Sequence, residues 1–168
     1  MITKKRRSQK QEKNVAKEFN AKVVPASGSL WFAKSDVRSD NFLIECKTTE
    51  KDTFTLTART WEKIEREALR DHMRIPLLII DLEDKDRVVV FKPKDFNDNL
   101  PEPYECIQQG GIKKSKRISI KELEEDSEYC EEYVYGKLFI ICEKKNTMLF
   151  YMRMKDFKEY YKEEMLWL

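Results

Sequence analysis

The apolar positions along this chain change period from one segment to the next, and the period names the element. Between Ser8 and Asn20, Val15, Ala16 and Phe19 recur at helical spacing, which predicts a short helix behind a basic tail. Val23 and Val24 start a strand, and Pro25-Ala26-Ser27-Gly28-Ser29 reads as a turn. Asp36 and Val37 lead into a second short strand, and Arg38-Ser39-Asp40-Asn41 reads as a hairpin turn. Phe42 to Thr48 (FLIECKT) is the next strand. Its alternation sends Phe42, Ile44 and Cys46 to one face and Leu43, Glu45 and Lys47 to the other. Thr53 to Thr57 reads as a further extended piece.

From Thr60 to His72 the pattern is helical, with Trp61, Ile64, Ala68 and Leu69 on one side. Leu77 to Leu82 (LLIIDL) is a continuous apolar run, the pattern of a strand buried on both faces. Arg87 to Phe91 (RVVVF) pairs with it across a charged turn, and Lys94 to Leu100 reads as a short helix. Residues 97 to 117 are irregular and hold the basic loop Lys113-Lys114-Ser115-Lys116-Arg117. Residues 121 to 132 are acidic and helical in part. Leu138 to Ile141 and Met148 to Met152 form a second hairpin, followed by a helix from about Lys155.

The second hairpin echoes the first. LLIIDLEDKDRVVVFKPKDF (77 to 96) and LFIICEKKNTMLFYMRMKDF (138 to 157) match in length and pattern without a gap, and both end in Lys-Asp-Phe. Two readings stand side by side: a common strand-turn-strand-helix unit recurring by chance, and a duplication.

Composition narrows the class. The chain has 168 residues, 38% charged and 40% hydrophobic, with only four Gly and five Pro, which excludes a disordered or collagenous chain. No run approaches the length of a membrane span, and no apolar signal core follows the basic N-terminus. The four cysteines form no CxxC pair, which points to reduced thiols and a cytoplasmic protein, in host cytoplasm if virus-encoded. A single histidine argues against His-based metal sets. The net charge of +2 gives no sign of nucleic acid, but residues 1 to 22 hold eight Lys or Arg against two Glu, a local charge of +6.

Glu45 and Lys47 leave the same face of one strand, and a carboxylate and an ammonium aimed at one spot are costly to bury unless they pair or serve a ligand. If the turn at 38 to 41 closes a hairpin, Asp36 falls beside Glu45. Two carboxylates next to one lysine make a hard-oxygen site suited to Mg²⁺ or Mn²⁺. Lys47 can then orient a water or stabilise negative charge at a phosphate.

These residues resemble the Asp … Glu-x-Lys signature of the PD-(D/E)xK nuclease superfamily. The nearer resemblance is to archaeal-type and bacteriophage Holliday junction resolvases. It rests on Glu12-Lys13-Asn14-Val15, Pro25-Ala26-Ser27-Gly28-Ser29, Ser35-Asp36-Val37 and Ile44-Glu45-Cys46-Lys47-Thr48, and covers about residues 8 to 96. Ser35 stands where the signature has proline. The resemblance implies an α/β, restriction-endonuclease-like core over 1 to 96, a central mixed β-sheet flanked by helices. Residues 97 to 168 are then a C-terminal α+β extension with no family role.

The resemblance also implies site roles. Asp36 and Glu45 hold divalent metal and Glu12 completes the set, with Glu18 as its rival. Lys47 assists the attacking water, and Ser29 contacts the scissile region. Asp40 is the rival for Asp36, and Ser27 and Ser29 have a plain reading as turn residues. Lys4, Lys5, Arg6, Arg7, Lys10, Ser27, Lys113, Lys114, Lys116 and Arg117 are the candidate DNA contacts, since cations on phosphates release counterions.

The function expected is a Mg²⁺-dependent endonuclease of DNA recombination and repair. It nicks four-way junctions as a homodimer and leaves 5′-phosphate and 3′-hydroxyl ends. The alternatives are another DNA nuclease of the superfamily and a DNA-binding module without turnover.

Overall fold

The computed structural model describes residues 3–24, 35–83, 86–101, 113–124 and 135–162, and the backbone of 104–107. Helix α1 (Lys4–Glu18) starts four residues before the apolar period does, so the basic segment is the helix's own first turns. Lys, Arg and Gln are good helix formers, and the apolar period marks only the buried stripe of Gln11, Val15 and Ala16. Asn20, at φ 48°, ends the run in the left-handed conformation.

Strands β1 (Lys22–Val23), β2 (Val37–Arg38) and β3 (Phe42–Thr49) pair antiparallel, with Val23 opposite Val37 and Val37 opposite Ile44. After β4 (Thr53–Thr57), helix α2 (Ala58–Arg70) is capped by Thr57, whose side-chain oxygen accepts from the Thr60 N–H at 3.1 Å. Its buried stripe is Ala58, Trp61, Ile64 and Ala68. Leu69, expected on that stripe, lies past its edge and is 59% exposed. His72 lies beyond the helix, left-handed at φ 55°.

Strand β5 (Ile75–Leu82) lies parallel to β3, and β6 (Asp86–Phe91) returns antiparallel. The helix expected over 94 to 100 is only a 3-10 turn, Pro93–Phe96. Asn97 and Asp98, at φ 57° and 55°, end it. Strand β7 (Tyr104–Ile107) is one the apolar pattern did not announce. The basic segment expected to be a loop runs into strand β8 (Ser115–Ser119), followed by a helical turn at 121–124. Strands β9 (Gly136–Cys142) and β10 (Asn146–Arg153) form the second hairpin, and helix α3 (Met154–Tyr160) follows.

Among the described residues, eight strands form one mixed sheet in the order β1-β2-β3-β5-β6-β10-β9-β7, with β3–β5 and β7–β9 parallel. Strands β4 and β8 form a separate two-stranded ribbon. One face of the sheet carries a cluster that takes Val15 and Phe19 from α1 and Phe157 from α3. The other carries Trp61 and Ile64 from α2 with Leu56 and Ile118 from the ribbon. Both faces are covered, which is why Leu77 to Ile80 reads as an unbroken apolar run. Each such side chain, fully buried, contributes about 1.5–3 kcal/mol. The fold is therefore the expected mixed sheet flanked by helices, and it continues through β6–β10 into the C-terminal segment.

Candidate active site

The short β2–β3 hairpin places Asp36. Its N–H donates to the carbonyl of Ile44 at 3.2 Å, and its Oδ2 accepts from the Cys46 N–H at 2.8 Å. The carboxylate is thus held against the strand that carries Glu45 and Lys47. Ser35, just before it, is buried with φ 78°. Proline is locked near φ −65°, so the signature proline cannot occupy this backbone position. The departure seen in the sequence is consistent with the local conformation.

Glu45 is 6% exposed, and its Oε1 lies 2.5 Å from the Lys47 ammonium. The two side chains leave β3 on one side, as the alternation implies. Lys63, on α2, brings a second ammonium to 4.0 Å from the same oxygen, and lies 3.8 Å from Glu67 on its own helix. Nothing in the pattern of α2 singles out Lys63 among its charged residues.

Burial raises the Asp36 carboxyl above the usual aspartate range, and the negative charge of Glu45 raises it further. The Cys46 N–H and Lys47 oppose this, and the Glu12 charge adds to it. Burial alone would lower the Lys47 ammonium, but the Glu45 carboxylate outweighs it and holds the lysine above its ordinary value. Burial likewise pushes the Cys46 thiol far up, so Cys46 is an inert core group.

The structure separates Glu12 from its rival. Glu18 is bound to Arg87 at 2.6 Å and Lys158 at 2.9 Å, a brace between α1, β6 and α3. Glu12 is half-buried, accepts from the Ser8 hydroxyl at 2.9 Å, and is the α1 carboxylate whose charge acts on Asp36. Asp40, the rival of Asp36, is exposed in the hairpin turn. Among the described residues no group of three or more His, Cys, Asp or Glu is assembled in metal-binding geometry. The residues that could hold a metal are Asp36 and Glu45, with Glu12 nearby. Their chemistry suits a small hard cation, since two carboxylates that repel each other are stabilised by positive charge between them.

Beside the site, Gln11 donates to the main-chain oxygens of Lys47 at 2.8 Å and Ile79 at 3.3 Å. Its place four residues before Val15, on the buried stripe of α1, was the signal that could have marked it.

Lys4, Arg7, Thr48, Thr49, Glu50 and Lys51 line a cleft of about 250 Å³ where α1 meets the end of β3. Arg7 pairs there with Glu50 at 2.8 Å, while Lys4, Lys5, Arg6 and Lys10 are exposed. Lys113, Lys114 and Arg117 are exposed as well. Lys116 is half-buried, 2.7 Å from Glu122 and over the Tyr151 ring, so its ammonium is engaged within the fold. Ser27 and Ser29 lie outside the described residues. Cys46 and Cys142 are free thiols. No helix among the described residues is long and apolar enough to cross a membrane.

No protein-family model and no curated protein matches the chain. A solved structure similar to part of it is that of Hjc, a Holliday junction resolvase from the archaeal hyperthermophile Archaeoglobus fulgidus. The identity is 21% and the TM-score 0.38, and the match covers 46% of this chain and 70% of that one.

Proposed function

We propose that this chain is a divalent-metal-dependent DNA endonuclease acting on branched DNA, with four-way junctions as its substrate. The observation that carries the reading is the convergence of Asp36, Glu45 and Lys47 on one patch of β2–β3, with Asp36 hydrogen-bonded to the strand at Cys46. Asp36 and Glu45 hold Mg²⁺, for which Mn²⁺ substitutes, and Glu12 contributes from α1. The bound cation supplies a lowered water pKa and offsets charge on the phosphate. Lys47 leaves Glu45 to orient the attacking water and to balance the growing negative charge. The water oxygen bonds to phosphorus as one of its protons passes to solvent, the P–O3′ bond breaks, and O3′ takes a proton from solvent, leaving a 5′-phosphate and a 3′-hydroxyl.

Lys4, Arg7 and Lys51 line a cleft next to this patch, and such cations hold backbone phosphates without reading base sequence. A four-way junction has two symmetry-related strands to nick, and a chain with one site needs a second copy to cut both, so two copies of the chain serve each junction.

The test is a gel assay of junction, fork and linear duplex with Mg²⁺ or with EDTA. Metal-dependent nicking of the junction in preference to duplex is expected. Asp36→Asn and Glu45→Gln should abolish it while leaving junction binding. Cleavage that survives either substitution overturns the site, and equal cutting of linear duplex moves the substrate to ordinary duplex DNA.

A further inference from the structure

Residues 42–96 and 104–157 pass through the same order of elements. The first run is β3, β4, α2, β5, β6 and the Pro93–Phe96 turn. The second is β7, β8, the helical turn at 121–124, β9, β10 and α3. The pairing repeats as well. Strand β3 is parallel to β5 and β5 antiparallel to β6, as β7 is parallel to β9 and β9 antiparallel to β10.

The two runs meet as a twofold requires. The gapless match of 77–96 with 138–157 makes Val90 and Tyr151 equivalents, and these two residues face each other in the β6–β10 pair. A residue opposite its own equivalent marks a twofold axis. The terminal Lys-Asp-Phe sequences put Phe96 and Phe157 in equivalent places, and their rings touch edge to face with centroids 5.8 Å apart. The ribbon obeys the same relation, since β4 pairs antiparallel with β8, its counterpart. The faces agree too. Leu78, Ile80 and Val88 share one core cluster with their equivalents Phe139, Ile141 and Leu149. A chance recurrence of strand, turn, strand and helix does not make equivalents meet.

One difference is visible. Leu78 faces Val90 in the first hairpin, but Phe139 faces Leu149 in the second, a slip of two residues. An even slip keeps every side chain on its face.

By sequence the second run has no glutamate and lysine two residues apart at the place of Glu45 and Lys47. Leu78 lies opposite Glu45 and its equivalent Phe139 lies opposite Ile107, which puts Ile107 in the place of Glu45. Two residues on, where the first run has Lys47, the sequence has Gln109. Sliding by two aligns Glu105-Cys106 with Glu45-Cys46, but Ile107 then stands where the lysine should be. Strand β7 is an edge of the sheet, with no strand beyond it among the described residues to supply a counterpart of Asp36.

We propose that residues 104–157 are a second copy of residues 42–96, the part of the catalytic unit that carries Glu45 and Lys47, fused in the same chain, lacking the site and occupying the β6 edge as a built-in partner. Strand β6 has both neighbours within the chain, and Val88, Val89 and Val90 are fully buried, so no second molecule can add there. One chain is then complete as a one-cut unit. The two copies that a junction needs arrive one after the other on the DNA, not through this edge. The cutting clause rests on the nuclease reading above, while the fusion stands without it.

The experiment has two arms on the full chain. Sedimentation in Mg²⁺ without DNA should give a monomer of 20.2 kDa from low to high micromolar concentration. A dimer that persists on dilution overturns the built-in partner. In the second arm, limiting protein is given a supercoiled plasmid with an extruded cruciform. Nicked circles should form first and linear product only after a lag, and Glu45→Gln should remove both. Linear product from the first turnover, or cleavage left in Glu45→Gln, overturns the one-cut unit. If no DNA is cut under any condition, the nuclease reading falls and sedimentation still decides the fusion.

Discussion

Gln11 on α1 donates to the main-chain oxygen of Lys47 at 2.8 Å, so the helix that carries Glu12 is tied to β3 at the lysine itself. The same amide reaches Ile79 on the neighbouring parallel strand at 3.3 Å. Gln11→Ala leaves two strand carbonyls without this donor, at a cost of about 1–3 kcal/mol. A lower urea midpoint with an unchanged slope is expected, together with slower cleavage and intact DNA binding. A variant that unfolds and cuts like the parent refutes the tie.

Asp36 is a residue the fold holds at a cost. Its pKa is raised by burial and by Glu45, so the folded state disfavours the ionised form. That cost is absent below the unfolded-state pKa and becomes complete once the pH passes the folded-state pKa. Asp36→Asn removes it while keeping an acceptor for the Cys46 N–H. Metal-free Asp36→Asn should therefore melt higher than the parent at neutral pH, with the gain shrinking as the pH falls through the carboxylate range. Cleavage should be lost at every pH. A gain that does not vary with pH would show that ionisation is not its source.

Ser35 combines a left-handed backbone, φ 78°, with a buried hydroxyl that has no hydrogen-bond partner among the described residues. Ser35→Gly relieves both and should stabilise the protein by about 1 kcal/mol or leave it unchanged. Ser35→Pro, which restores the signature residue, cannot adopt this angle and should lower the melting temperature and remove metal-dependent cleavage together. If the conformation is the cause, thermal melts show a lower midpoint for Ser35→Pro and no loss for Ser35→Gly.

Gly136 sits opposite Met152 at the start of the second hairpin. A Cβ there would lie 2.5 Å from the Tyr151 carbonyl oxygen and 2.5 Å from the Phe150 ring. The ring can turn but the carbonyl belongs to the strand paired with β6, so Gly136→Ala should destabilise by about 1–3 kcal/mol. Chemical denaturation checks it, and a neutral result would show that β9 can shift against β10.

Much of this protein was legible in the order of its residues. Alternation placed Glu45 and Lys47 on one side of β3, because side chains alternate along any strand whatever surrounds it. The apolar runs announced both hairpins, and the resemblance in Ser35-Asp36-Val37 and Ile44-Glu45-Cys46-Lys47 pointed to the same patch that the fold assembles. Strand β7 was not legible, because a short strand flanked by proline and glycine has too few residues to show a period. Leu69 was assigned to the core and lies outside it, since periodicity gives a direction but not the width of the covered stripe.

Other choices belonged to the folded chain alone. Glu12 and Glu18 are both carboxylates on α1, and only the approach of Arg87 and Lys158 makes Glu18 a structural brace, whereas the charge of Glu12 acts on Asp36. Lys113 and Lys116 belong to one basic cluster, yet only the strand's facing turns Lys116 onto Glu122. The echo between 77–96 and 138–157 does not say where the two segments meet, and only the fold sets Val90 opposite Tyr151. Periods of two and 3.6 are properties of the local backbone and survive in the sequence, whereas which surfaces meet depends on contacts between residues far apart along the chain.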